Sequence, residues 1–184
     1  MEELESSMQI FVAEFATPYL FVHAGVVEWN GRAIVLPGSS FAGKSTLVTA
    51  LVNAGATYYS DEYAVFDDEG KVLPYRRRIS LREGPLGPAG RVEIGQPTEA
   101  ASAGDAAIPV GVVLLTRYRY EAPWECARLE QGSAIMALCE HTVAIQRRPV
   151  DTFAILGNVV GSASVFRGSR GDLESAVSFL LDVR

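Results

Sequence analysis

Residues 38–45 read Gly-Ser-Ser-Phe-Ala-Gly-Lys-Ser and fill every fixed position of the pattern G-x-x-x-x-G-K-[ST]. What flanks the pattern constrains the fold. Arg32-Ala33-Ile34-Val35-Leu36 is a short, mostly branched and apolar run, the signature of a buried strand. Lys44 to Ala54 places Leu47, Leu51 and Val52 on one face of a helix, and Gly55 supplies its stop. Strand, glycine-rich loop and helix in that order predict an α/β core. Within it the glycines let successive N–H groups turn inward, and the helix start aims its dipole at whatever anion the loop holds. Lys44 can then reach the β and γ phosphates of a nucleotide, and the Ser45 hydroxyl can ligate Mg²⁺. The expected phosphate-binding residues are Gly38, Ser39, Ser40, Phe41, Ala42, Gly43, Lys44, Ser45 and Thr46, with ATP and Mg²⁺ as the implied cofactors.

The rest of the chain extends this core. Tyr19 to Trp29 is rich in aromatic and branched residues, and Asn30-Gly31 is a two-residue hairpin signal leading back into the strand before the loop. After the helix, Thr57 to Ser60 and Tyr63 to Phe66 read as extended, and Asp67-Asp68-Glu69-Gly70 turns the chain into Lys71-Val72-Leu73. Val110 to Leu115 reads as a central strand and Ala163 to Phe166 as a final one. Ser133 to Cys139, Thr152 to Val160 and Asp172 to Leu181 read as helices, the last with Asp172 as N-cap. Residues 84–104 carry Pro85, Pro88 and Pro97 without periodicity, which predicts a long loop or lid, with a disordered surface excursion as the competing reading. The sum is an α/β fold with a mixed sheet, and residues 1–184 are expected to form a single domain.

Composition narrows the classes of partner. The chain has 184 residues, 48% hydrophobic and 21% charged, with a net charge of −6. That charge opposes nonspecific attraction to nucleic acid or anionic membrane, so neither is an expected partner. Cys126 and Cys139 form no C-x-x-C pair and have no histidine at zinc spacing, so they read as reduced, buried thiols. An acidic start, Glu2-Glu3-Leu4-Glu5, and the lack of a long apolar run lead to an expected cytoplasmic location.

Choosing among a switch, a motor and a kinase requires the residues that handle magnesium and the attacking group. Asp61 and Glu62 stand 17 and 18 residues after Lys44, at the end of a strand that follows the loop helix. One carboxylate can hold Mg²⁺ while the other accepts a proton from a hydroxyl; a solvated acidic turn is the competing reading. The hairpin at Asn30-Gly31 brings the strand of His23 beside the one entering the loop, so His23 is either a neighbour of the transferred phosphate or a structural histidine. His141, near a helix end, has weaker grounds. Arg76, Arg77, Arg78 and Arg82 read as a basic edge, either solvated or recruiting an acidic substrate. A guanine-reading Asn-Lys-x-Asp segment is lacking, which weighs against a GTPase.

His23-Ala24-Gly25-Val26-Val27, the hairpin, the G-x-x-x-x-G-K-S loop and Ser60-Asp61-Glu62 together resemble the catalytic core of the HPr kinase/phosphorylase family. That family is structurally akin to ATP-dependent phosphoenolpyruvate carboxykinase. The resemblance spans residues 19–66. It implies that Lys44 stabilises phosphate charge, that Ser45 with Asp61 or Glu62 holds magnesium, that Asp61 is the base toward a serine hydroxyl, and that His23 neighbours the transferred group. Three departures accompany it. Thr46 stands where many members carry an acidic residue, Glu62 stands for a second aspartate, and Gly87-Pro88-Ala89-Gly90-Arg91 only echoes the family's Pro-Gly-Arg-Asn segment. By its length the chain is expected to be a core-only relative, without the family's separate N-terminal domain.

The resemblance points to an ATP-dependent, Mg²⁺-requiring kinase whose acceptor is a hydroxyl of a protein, peptide or small molecule. It also implies a homo-oligomer. The alternative is a nucleotide-binding regulatory module with little turnover, whose 84–104 loop orders over bound ATP.

Overall fold

The computed structural model describes residues 19–39, 42–75, 106–143 and 145–183. Strand β1 (Leu20–Trp29) turns at Asn30 and Gly31, whose φ angles of 53° and 77° fit a mirror-image two-residue turn, into β2 (Arg32–Pro37). The two pair antiparallel from Trp29 with Arg32 through Ala24 with Pro37. Helix α1 (Lys44–Asn53) follows, and Gly55, at φ 106°, redirects the chain into β3 (Thr57–Ser60). Beyond it lie β4 (Tyr63–Phe66), β5 (Val72–Leu73), β6 (Val110–Tyr118) and β7 (Glu125–Arg128). The chain closes with α2 (Gln131–Cys139), α3 (Pro149–Ser162), β8 (Ser164–Arg170) and α4 (Glu174–Asp182).

The sheet is mixed, in the order β5-β4-β1-β2-β6-β8-β7, with β3 paired to β1. Strands β2, β6 and β8 run parallel, while β1 and β7 flank them antiparallel. The parallel strands are buried on both faces, and their alternation shows it. Val35, Val113 and Leu115 enter one apolar cluster with Leu138 of α2 and Leu156 of α3. Ile34, Leu36, Val112 and Leu114 enter the opposite cluster with Leu47 and Leu51 of α1 and Leu180 of α4. This three-layer sandwich is why the strands read as continuous apolar runs. Leu47, Val48 and Leu51 are at most 1% exposed. Each such side chain contributes about 1.5–3 kcal/mol on burial, which fixes α1 on the sheet.

Most elements fall where the periodicity places them, and the differences have local causes. Strand β6 runs on to Tyr118 and β8 to Arg170, because Arg117 with Ser169 and Tyr118 with Arg170 continue their ladder past the apolar stretch. Pro149 opens α3 earlier than Thr152, as a proline at the first helical position can. Strand β7 has no apolar alternation to announce it, being an edge strand with exposed Glu125, Ala127 and Arg128. Asp172 does cap α4 through a 2.7 Å bond from the Ser175 N–H to Oδ1, although the helix itself begins at Glu174. Residues 84–104 and Arg76, Arg77, Arg78 and Arg82 lie outside the described residues. Cys126 and Cys139 are free and half-buried. Among the described residues no helix is long and apolar enough to cross a membrane.

Candidate functional site

The site forms where β1 outruns β2. Strand β2 ends at Pro37, opposite Ala24, and its chain leaves into the glycine-rich loop. The Gly38 N–H still donates to the His23 carbonyl, at 3.2 Å. Past that point the vacated edge of β1 is taken by residues 141–143: the His23 N–H donates to His141 O at 2.8 Å, and the Val143 N–H donates to Phe21 O at 2.9 Å. On the other edge β3 and β4 together line β1, from Glu28 with Thr57 to Leu20 with Phe66. Their junction is Asp61-Glu62. It lies opposite Ala24, whose N–H donates to Glu62 O at 3.1 Å. One crossing of backbone therefore gathers the loop, His23, His141, Asp61 and Glu62.

Gly25 sets the height of α1 over this crossing. A Cβ there would lie 2.5 Å from Val48 Cγ2, so the glycine allows the helix to approach β1. The helix begins at Lys44 behind Gly43, whose φ of 81° favours glycine. Lys44 Nζ donates to Gly38 O at 2.7 Å and to Ser39 O at 2.9 Å, folding the ammonium back over the loop's own entrance. Ser40 and Phe41 lie outside the described residues; Ala42 and Thr46 are half-buried.

Asp61 is held from two sides. Ser45 Oγ donates to its Oδ2 at 3.4 Å, a long bond, and the Tyr58 hydroxyl donates to Oδ1 at 3.1 Å. Burial, with the Asp61 charge behind it, pushes the Tyr58 phenol far above its usual range, so Tyr58 remains a proton donor. The Ser60 hydroxyl accepts the N–H groups of Glu62 and Tyr63, both at 3.2 Å, and shapes the acidic turn. Burial lowers the Lys44 pKa, and Asp61 and Glu62 oppose that shift. The His23 ring lies against Tyr63, with centroids 4.6 Å apart. Desolvation and then the Lys44 charge lower the His23 pKa, while Glu62 raises it. His141 is shifted the same way: burial lowers its pKa first, Glu140 opposes, and Lys44, His23 and Arg167 lower it further.

The structure thus brings Lys44, Ser45, Asp61, Glu62 and His23 together. A solved structure of the Hpr(Ser) kinase/phosphatase from Coxiella burnetii is similar to this chain. The likeness is 10% in identity, covers 89% of this chain and 92% of that one, and has a TM-score of 0.43. No family model and no curated protein matches. A likeness at that score is too loose to carry a functional conclusion, which has to come from the side chains themselves.

Three residues of the site were not singled out by the sequence or were ranked low. His141 enters because the turn after α2 supplies the edge that β2 vacates, a pairing with no local signal. Tyr58 is a strand residue whose alternation marks it only as buried. Arg170, at the end of β8, donates from Nη2 to Gly43 O at 2.8 Å across a sequence separation of 127 residues.

The donor chemistry suits the expected ligands. Ser45 Oγ and the carboxylates of Asp61 and Glu62 are hard oxygen donors, the type Mg²⁺ takes in small number alongside phosphate oxygens. Among the described residues no cluster of three or more histidine, cysteine or acidic side chains forms a self-sufficient metal cage. A magnesium ion here would therefore depend on its phosphate partner.

Proposed function

We propose that this protein binds a nucleoside triphosphate at Gly38–Thr46 and transfers the γ-phosphoryl group to a hydroxyl. The observation that carries the reading is the bond from Ser45 Oγ to Asp61 Oδ2, with the Lys44 ammonium held over the loop entrance and feeling the Asp61 charge: the motif's serine meets, and its lysine lies near, a carboxylate contributed by a different element. A glycine-rich turn of purely structural use has no need of that partner.

In this reading Lys44 exchanges the Gly38 and Ser39 carbonyls for phosphate oxygens, and the α1 N-terminus faces the same anion. Ser45 with Glu62 would hold Mg²⁺, which would supply charge neutralisation on the phosphates. Asp61, oriented by the Tyr58 hydroxyl, accepts the proton of the acceptor hydroxyl. The hydroxyl oxygen forms the new P–O bond as the bond from γ-phosphorus to the β–γ bridging oxygen breaks, and the nucleoside diphosphate leaves. His23, with a lowered pKa beside Lys44, is neutral at neutral pH and adds no further charge near the transferred group. The acceptor is the hydroxyl of a protein, peptide or small molecule.

Calorimetry with Mg·ATP, paired with label transfer from γ-labelled ATP, tests the assignment of roles. Lys44→Ala is expected to weaken ATP binding at least ten-fold. Asp61→Ala is expected to abolish transfer and keep most of the affinity. Unchanged affinity in the lysine variant would remove the loop from the account; equal loss of binding and transfer in the aspartate variant would remove the base.

A further inference from the structure

Arg170 is 2% exposed, yet among the described residues no carboxylate lies within ion-pair distance of it. Its Nη2 donates to Gly43 O, its guanidinium carbon sits 5.7 Å from the Tyr118 ring centroid, and its Nε has no partner among the described residues. A guanidinium carries five N–H donors, and burying one unpaired is costly unless an anion compensates it. Burial does lower its pKa, opposed by Tyr118 and Asp172.

Among the described residues, a second buried group with an unmet bond lies on the same sheet face. Thr116 Oγ1 is also buried and unpartnered. Thr116 pairs with Gly168 and Tyr118 with Arg170, so both orphaned groups belong to one face of adjacent parallel strands, at their C-terminal ends. In an open α/β sheet that end is where ligands bind. Gly43 completes the arrangement. A Cβ on it would fall 2.5 Å from Arg170 Nη2, so the arginine occupies the space that a side chain at position 43 would fill.

We infer that Arg170 is a positioning residue of the phosphate loop: it holds Gly43 by its carbonyl and places behind the loop a buried positive charge whose counterion is the bound polyphosphate. The inference rests on the reading of Gly38–Thr46 as a phosphate site and adds to it a residue from the far end of the chain. The charge distinguishes this role from simple bracing. A brace between β8 and α1 affects folding or weakens every phosphate ligand alike, whereas a buried cation makes affinity depend on the number of phosphates offered.

The test compares the full-length protein with its Arg170→Lys and Arg170→Met variants, by calorimetry with Mg·ATP, Mg·ADP and inorganic triphosphate and by thermal unfolding without ligand. Arg170→Met is expected to weaken ATP and triphosphate about ten-fold or more and ADP less, with Arg170→Lys between it and the unaltered protein. Should the methionine variant fail to fold, the lysine variant decides. ATP affinity about three- to ten-fold weaker with a near-normal melting curve supports the role, and unchanged affinity overturns it. Equal losses for ATP and ADP also overturn it, since they mark a brace. If the unaltered protein binds neither ATP nor triphosphate, the phosphate-site reading falls and this inference with it; binding that no Arg170 variant alters defeats this inference alone.

Discussion

At the scale of single residues, Asp61 is the pivot, because each of its carboxylate oxygens meets a hydroxyl from a different element: Ser45 of α1 and Tyr58 of β3. The Tyr58 bond fixes the carboxylate's orientation and carries no chemistry itself. Tyr58→Phe removes it while keeping the buried ring, so transfer is expected to fall roughly five- to ten-fold, the worth of about 1 kcal/mol. Nucleotide affinity is expected to stay within about two-fold, and steady-state kinetics beside calorimetry separates the two. Lys44, Ser45 and Asp61 were legible in the sequence because a motif and a short helix fix their spacing. Arg170 was not, since nothing near residue 170 records that its side chain ends on the carbonyl of Gly43.

At the scale of elements, the position of α1 over β1 governs whether Ser45 reaches Asp61, and Gly25 governs that position. A side chain at 25 meets Val48 at once. Gly25→Val therefore forces the helix off the strand, with an expected loss of roughly 1–3 kcal/mol in urea unfolding and a larger proportional loss of ATP affinity. Gly161→Ala, a glycine with open space around it in α3, serves as control and is expected to be neutral or slightly stabilising. The apolar runs of β2 and β6 and the Asn30-Gly31 hairpin were readable because periodicity and turn chemistry are local properties. Strand β7 and the pairing of residues 141–143 with β1 were not, because an edge strand and a borrowed sheet edge owe their form to their partners.

At the scale of the whole molecule, two histidines share one electrostatic environment with Lys44. Both have pKa values below the ordinary histidine range in the folded protein, burial being the first cause. Between the lowered folded values and about 6.5, the unfolded chain binds more protons than the folded one. Stability is therefore expected to fall as the pH drops below about 6.5 and to level off beneath the folded values. Denaturant unfolding at stepped pH checks this, and a variant carrying His23→Gln with His141→Gln is expected to flatten the dependence. The central claim is phosphoryl transfer. Its most direct measurement is Mg²⁺-dependent movement of label from γ-labelled ATP into a host lysate fractionated into proteins, peptides and metabolites, with Asp61→Ala as control. The account predicts a labelled product that disappears with the variant. ATP bound with no labelled product in any fraction would contradict it and leave a nucleotide-binding regulatory module in its place.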